Sequence, residues 1–120
     1  VKLKPEGRKV LEHVAAYLRA HTQVRQVVVI VRVFSLRSTK KNYLISKRRA
    51  DMIRKFLSRG GVEAGRILLM PMGAKPGRDG KKIDGVEISI EEVLPWGKPA
   101  EVPDGPVEQN NGEPEFEMEF

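Results

Sequence analysis

The chain has 120 residues, 40% of them hydrophobic and 32% charged, with a formal net charge of +6 and no cysteine. This length fits one domain, because two cores of half the size would each be marginally stable, and no apolar run approaches the roughly 20 residues of a membrane-spanning helix. The lack of cysteine excludes disulfides and cysteine nucleophiles, and without a recognisable signal segment we expect that any export signal has been removed or lies outside this sequence.

The first predicted element is an amphipathic helix at residues 5–20. Apolar residues recur there at three- and four-residue spacing and line one helical face, and Pro5 suits the first turn. Residues 26–34 form a β-branched run without alternation in its first half. A strand buried on both faces has this pattern, so a central strand is predicted.

A polar, basic loop at residues 35–41 leads to a second predicted amphipathic helix at about residues 42–58. Gly60 and Gly61 are expected to end it, since glycine accepts the left-handed conformation that closes helices. Asn42 is expected to cap its start rather than to contact a ligand, because its side chain can accept the free amides of the first turn.

Two further strands are predicted, at residues 66–72 and from residue 86 onward, where aliphatic residues alternate with polar ones. The loop between them, residues 73–85, is rich in glycine and lysine but lacks the spacing of a phosphate-binding loop. The order helix, strand, helix, strand, strand implies crossover connections on a mixed sheet.

The composition changes after this strand. We therefore divide the chain into a domain at residues 1–93, a linker at 94–113 that is rich in Pro, Gly and acidic residues, and a final strand at 114–120. Trp96 in the linker is expected to dock on the domain, and the alternative is a binding hot spot for a partner. The final strand is predicted to pair with the sheet, because glutamates alternate there with three large apolar residues: Phe116, Met118 and Phe120.

The charges are distributed unevenly. Residues 1–82 contain 21 Lys and Arg against 5 Asp and Glu, whereas residues 83–120 contain 1 against 11. Such asymmetry indicates either a polyanionic partner or an acidic segment that folds back over the basic part. The second explanation needs no partner and is the one we favour.

Three stretches, in this order, resemble the OmpA/MotB C-terminal family of peptidoglycan-associating domains. Leu3-Lys-Pro-Glu-Gly7 resembles the family's L-x-P-x-G motif, Asn42-x-x-Ile45-Ser46-x-x-Arg49-Ala50 its N-x-x-L-S-x-x-R-A helix start, and Met72-Gly-Ala-Lys-Pro76 its G-x-x-P loop. The resemblance covers residues 3 to 93. It implies an α/β fold, more closely an α+β sandwich of the order β-α-β-α-β-β, with two helices packed on one mixed sheet.

The resemblance also implies a ligand site. In that family an aspartate after the strand preceding the second helix takes the ammonium group of wall diaminopimelate, and an arginine on that helix takes its carboxylate. By motif, the arginine corresponds to Arg49 and the aspartate to Phe34. Asn42 and Ser46 belong to the same helix motif and complete the candidate ligand-binding set.

The family's G-x-T-D-x-x-G strand end is replaced here by Val31-Arg-Val-Phe-Ser-Leu-Arg37, and its basic pair before the last strand by Asp84-Gly85. An ammonium group would meet the ring of Phe34 between Arg32 and Arg37. Loss of one partner of a desolvated charge pair costs a few kcal/mol, so the usual diaminopimelate site is expected to be lost or much weakened. A cation over the Phe34 ring is the remaining option.

The family's first strand, which precedes the L-x-P-x-G motif, has no counterpart before Leu3. Residues 114–120 look like that strand. We expect them to occupy its position, either within one chain, as in a circular permutation, or by exchange between two chains in a dimer. Filling the position would close an edge that otherwise invites aggregation.

These features leave three functional hypotheses. The first is a non-enzymatic structural or protein-interaction module of the Gram-negative envelope or periplasm, with an envelope protein as partner. The second is an atypical peptidoglycan-binding domain that uses Arg49, Asn42 and the basic loop. The third, which we do not favour, is a nucleic-acid-binding module, for which only Phe34 and Tyr43 are candidates for base stacking.

No enzymatic activity, cofactor or metal is expected. The sequence has no cysteine, no histidine dyad and no carboxylate pair in a glycine-framed cleft. His13 and His21 have no acidic or second histidine neighbour at ligand spacing, so metal binding is not expected.

Overall fold

The computed structural model describes residues 3–77, 79–92 and 115–120. Within them two helices pack on a four-stranded mixed sheet, which confirms the predicted fold class. The elements are α1 Pro5–Ala20, β1 Val24–Arg32, α2 Thr39–Arg59, a short 3-10 helix Ala64–Arg66, β2 Ile67–Gly73, β3 Gly85–Glu92 and β4 Glu115–Met118. Neither α-helix is long and apolar enough to cross a membrane.

The strands lie in the order β2-β1-β3-β4. Central strand β1 runs parallel to β2 and antiparallel to β3, so that Val27 lies opposite Ile67 on one side and Ile90 on the other. The parallel pair is joined through α2, as a parallel connection requires. The predicted central position of this β-branched segment is therefore confirmed, although the strand begins and ends two residues earlier than expected.

The core lies between the sheet and the two helices. One face of each strand and the apolar stripe of each helix are buried there, and each buried aliphatic side chain contributes about 1.5–3 kcal/mol relative to exposure. The fully buried side chains of this core include Leu11, Leu18, Val27, Val29, Val31, Ile53, Leu57 and Ile88.

Helix α2 begins three residues before its predicted start. Its N-cap is Ser38, whose hydroxyl accepts a hydrogen bond from the backbone N–H of Lys41. The expectation that Asn42 caps this helix is therefore wrong, because Asn42 already lies in the first turn. The predicted end is confirmed: the helix stops at Arg59, and Gly61 adopts a φ of 95°.

Strand β4 pairs antiparallel with β3 at an edge of the sheet, with Val86 opposite Met118 and Ile88 opposite Phe116. The chain after it reaches the start of α1, where the N–H of Lys4 donates to the carbonyl of Phe120 at 2.9 Å. The predicted linker, including Trp96, lies outside the described residues. The hypothesis of a strand-exchanged dimer stays a prediction.

Candidate functional site

Arg49 and Asp84 meet where α2 passes the start of β3. Arg49 lies on α2 and is the arginine that the helix motif predicted. Asp84 directly precedes Gly85, the first residue of β3. Nη1 of Arg49 lies 3.5 Å from Oδ2 of Asp84, and the two side chains are 23% and 34% exposed. The site thus contains one guanidinium and one carboxylate group in a partly buried setting.

Asp84 also accepts a hydrogen bond from the backbone of Phe34, the residue at the position of the aspartate in the resembled motif. The acceptor atom is Oδ1, and the donor is the N–H of Phe34. A carboxylate is therefore present next to Phe34, although it comes from a position 50 residues further along the chain. Sequence reasoning treated Asp84 only as the loss of a basic pair and missed this contact.

The arginines expected to flank the Phe34 ring have other surroundings. Arg32 forms an ion pair with Glu87 at 3.0 Å and donates to the carbonyl of Lys75 at 3.1 Å. Arg37 is exposed in the loop before α2. The cation that lies on an aromatic ring is Arg49, whose Cζ is 5.1 Å from the ring centroid of Phe120.

Arg49 retains donor capacity in this arrangement. Its Nε is buried and has no hydrogen-bond partner among the described residues. An unsatisfied buried donor costs about 1–3 kcal/mol, and more for a charged group, so an acceptor at this atom would stabilise the site. An anionic oxygen would suit it best, because hydrogen bonds from guanidinium to carboxylate are charge-assisted.

Asn42 and Ser46 lie on the buried face of α2 and bind backbone groups on either side of it. The amide of Asn42 accepts from the N–H of Leu36 and donates to its carbonyl, at 3.0 and 2.9 Å. The hydroxyl of Ser46 accepts from the N–H of Gly73 at 3.0 Å. Asn42 thereby fixes the loop before α2, and Ser46, which is fully buried, fixes α2 against the end of β2.

A cleft of about 390 Å³ adjoins the site at Asp84. It lies between the loop before β3 and the ends of β3 and β4. Among the described residues, two cationic side chains line it, and both are paired: Arg32 with Glu87, and Lys81 with Asp79 at 3.8 Å. The cleft is nevertheless acidic, because its lining carboxylates are Asp79, Asp84, Glu87, Glu117 and Glu119.

The other candidate residues lie elsewhere. Tyr43 is 45% exposed on α2, and Phe34 is half-buried in the loop after β1, so neither belongs to a strand face on which bases could stack. His13 is exposed on α1, whereas His21 follows its end and stacks on Tyr17 with ring centroids 3.8 Å apart. Within the described residues, no group of His, Cys, Asp or Glu side chains is arranged to hold a metal ion.

The fold and the arginine–carboxylate site define a small α+β binding domain. Residues 1–88 match the model of the OmpA family, and the chain belongs to that family. Membership makes it a cell-envelope domain of the peptidoglycan-associating kind, a class of generally non-enzymatic binding modules. The match ends within β3, so β4 lies outside it. Comparison with curated proteins gives no significant match.

Proposed function

We propose that this domain binds the zwitterionic amino-acid part of a peptidoglycan stem peptide through Arg49 and Asp84. Residue 34 no longer supplies a carboxylate, but Asp84 brings one beside it from the start of β3. The proposal rests on one contact, the approach of this carboxylate to the Arg49 guanidinium at 3.5 Å. Both charges that a zwitterion needs are then available at one place.

The guanidinium end of the site suits the ligand's carboxylate. The buried Nε of Arg49 has no acceptor among the described residues, so a ligand oxygen there would satisfy it. The ring centroid of Phe120 lies 5.1 Å from Cζ of Arg49, so this ring borders the guanidinium end of the site. Arginine is suited to this role because its planar donors match a carboxylate in two-point contacts.

The Asp84 end suits the ligand's ammonium group. Asp84 borders a cleft in which, among the described residues, the lining carboxylates outnumber the cations, and these cations are paired with carboxylates of the same cleft. A cleft lined by one sign of charge raises the local concentration of the opposite charge. The compartment that we propose is the Gram-negative periplasm, where the domain would face the wall.

A second candidate function is a structural or protein-interaction module whose ligand site is closed. Two contacts favour it. Arg49 is paired with Asp84, so the two charges would have to separate before either could bind a ligand, and the ring of Phe120 covers the guanidinium. In this case the domain would act through an envelope protein rather than through peptidoglycan.

Heteronuclear NMR with a diaminopimelate-containing muropeptide tests the proposal. We expect saturable shifts of the amides of Phe34, Arg49 and Asp84. Arg49→Ala and Asp84→Asn should each weaken binding at least about tenfold, because each removes one partner of a desolvated charge contact.

Two matched controls separate this site from general electrostatics. Arg48→Ala removes an exposed cation from the neighbouring position of α2, and Glu63→Gln removes an exposed carboxylate that does not line the cleft. Both should bind nearly as the wild-type domain does. No saturable shift at millimolar muropeptide would reject the zwitterion site and favour the closed module.

A further inference from the structure

A second concave surface lies between the two helices and shares no residue with the Arg49 site. It is a groove of about 860 Å³ lined by α1, by α2 with the following Gly60, and by Leu3, which lies two residues before α1. Its apolar lining comes from Leu3, Ala15, Met52 and Phe56. Ala15 is buried, whereas the other three side chains are half-buried and so still present apolar surface to the groove.

The two helices approach each other closely at one end of this groove. A Cβ atom at Gly60 would lie 3.1 Å from the Cβ of Ala15, tighter than ordinary contact. Arg19 of α1 also donates a hydrogen bond to the carbonyl of Gly60. The end of α2 is therefore held against α1 by packing and by a hydrogen bond, and this contact closes one end of the groove.

The rim of the groove is basic. Among the described residues, four cationic side chains line it, against the single carboxylate of Glu12: Arg8, Arg19, Lys55 and Arg59. All four are exposed, and none takes part in the ion pairs found in the described part of the chain, which join Lys4–Glu119, Arg32–Glu87, Arg49–Asp84 and Lys81–Asp79. An occupant that brings carboxylates would neutralise this excess.

We infer that the groove docks an acidic amphipathic helix of a protein partner. A helix can place apolar side chains at three- and four-residue spacing on the groove floor while its acidic residues meet the basic rim. A flat lipid surface would meet the rim and leave the concave floor uncovered. A phosphate backbone would likewise satisfy the rim without covering apolar surface. The inference goes beyond the proposed function, since it holds whatever Arg49 binds.

A labelled peptide tests this inference by fluorescence anisotropy with the whole chain. The probe is a helix of about 15 residues with leucine along one face and glutamate elsewhere, a length at which isolated helices begin to be stable. The double variant Lys55→Glu/Arg59→Glu should weaken binding at least about tenfold, because it turns rim attraction into repulsion. The matched control Lys47→Glu/Arg48→Glu makes the same charge change on exposed positions of α2 outside the groove and should bind far better.

Met52→Gln tests the apolar floor without changing charge, and circular dichroism verifies that the variant folds. It should weaken the leucine-faced peptide and leave unchanged a scrambled peptide of the same composition, whose leucines surround the helix. Equal binding of both peptides to the wild-type chain would overturn the inference, since charge alone would then explain it. The inference would also be overturned if phosphatidylglycerol vesicles or duplex RNA bound the wild-type chain more tightly than the peptide does, and if the double variant Lys55→Glu/Arg59→Glu abolished that binding.

The same double variant keeps the two sites distinguishable. Lys55 and Arg59 do not contact the Arg49 site in the structure, so muropeptide shifts should persist in the variant. Conversely, Arg49→Ala should leave peptide binding intact. Joint loss of both ligands in either variant would overturn the assignment of the groove as a separate surface.

Discussion

The hydroxyl of Ser46 joins α2 to the end of β2. It is fully buried, donates to the carbonyl of Tyr43 at 2.7 Å and accepts from the N–H of Gly73 at 3.0 Å. Ser46→Ala leaves that N–H without its acceptor, so we expect the free energy of unfolding to fall by about 1–3 kcal/mol. Urea unfolding followed by circular dichroism measures the change. Ser58→Ala, at an exposed position of α2, should stay within about 0.5 kcal/mol of wild type, and an equal loss in both variants would contradict this role.

Arg66, which is distant from α1 in sequence, caps the C-terminal end of that helix. Its Nη2 donates to the carbonyls of Leu18, His21 and Val24, at 3.2, 3.2 and 2.8 Å, and its Nε also donates to Val24. The last carbonyls of a helix have no partner within the helix, and a cation there is favourable.

Replacement of Arg66 by methionine keeps an unbranched side chain of similar length but removes every donor. Arg66→Met should lower the free energy of unfolding by about 1–3 kcal/mol, since three carbonyls lose a charged partner. Thermal and urea unfolding measure this. The control is Arg54→Met on the exposed side of α2, and a wild-type stability for Arg66→Met would refute the capping role.

At this scale the sequence predicted some site residues and not others. Arg49 could be placed because its position in the helix motif corresponds to the arginine of the family that the sequence resembles. Asp84 could not, because its meeting with Phe34 follows from the register that sets Arg32 opposite Gly85. That register depends on side-chain packing across the sheet and leaves no local pattern in the sequence. Phe120 was missed for the same reason, although its strand was predicted.

At the scale of elements, α1 packs against β4 through a glycine. A Cβ at Gly7 would lie 2.8 Å from the terminal methyl of Met118 and 3.2 Å from the carbonyl of Glu119. The methyl can move but the backbone carbonyl cannot without shifting the strand. We expect Gly7→Val to lower the free energy of unfolding by about 1–3 kcal/mol through overpacking.

Gly65 offers the matched comparison for this variant. A Cβ there would meet nothing within 4 Å, so Gly65→Val should be nearly neutral. Unfolding curves of both variants, measured under identical conditions, give the difference. If the two valines cost the same, close packing of α1 on β4 does not contribute to stability.

Helix bounds were predicted better at glycines and prolines than at polar caps. Pro5 and the pair Gly60 and Gly61 restrict or permit backbone angles that few other residues share, and α1 and the end of α2 lie where these residues indicated. The start of α2 was misjudged because both Ser38 and Asn42 can cap a helix. Ser38 is the N-cap in the structure, and the side-chain amide of Asn42 is instead hydrogen-bonded to both backbone groups of Leu36.

Across the whole molecule, the predicted charge asymmetry has a structural counterpart. The acidic cleft is built from the loop before β3 and from β3 and β4, whereas the basic groove is built from the two helices. Within the described residues, two ion pairs join the acidic cleft to α2 or to the residue before α1: Arg49 with Asp84 at 3.5 Å, and Lys4 with Glu119 at 3.3 Å. The second pair is exposed, and exposed pairs contribute about 0–1 kcal/mol. Composition could predict that basic and acidic residues lie in different parts of the chain. The cleft and the groove, which gather these charges at surfaces that can bind a ligand, depend on packing and could not be predicted from composition.

Strand β4 determines whether β3 is an edge of the sheet. Met118 of this strand faces the core and is 8% exposed, whereas the neighbouring Glu117 is exposed to solvent. Met118→Asp would place an unpaired carboxylate in the core, which is costly enough that β4 should detach instead. The backbone of β3 is then exposed, and an open edge pairs with other chains. We therefore expect a lower unfolding temperature together with concentration-dependent association in light scattering.

The outward position on the same strand supplies the control. Glu117→Asp creates the same side chain where it remains in water, so unfolding temperature and mass in solution should match those of the wild type. Detachment also removes the Phe120 ring from Arg49, because β4 and Phe120 are continuous. Met118→Asp should then either strengthen muropeptide binding, if Phe120 restricts access to Arg49, or abolish it, if β4 shapes the acidic cleft. Unchanged affinity, with β4 shown by NMR to be detached, would mean that this strand closes the sheet and has no part in the site.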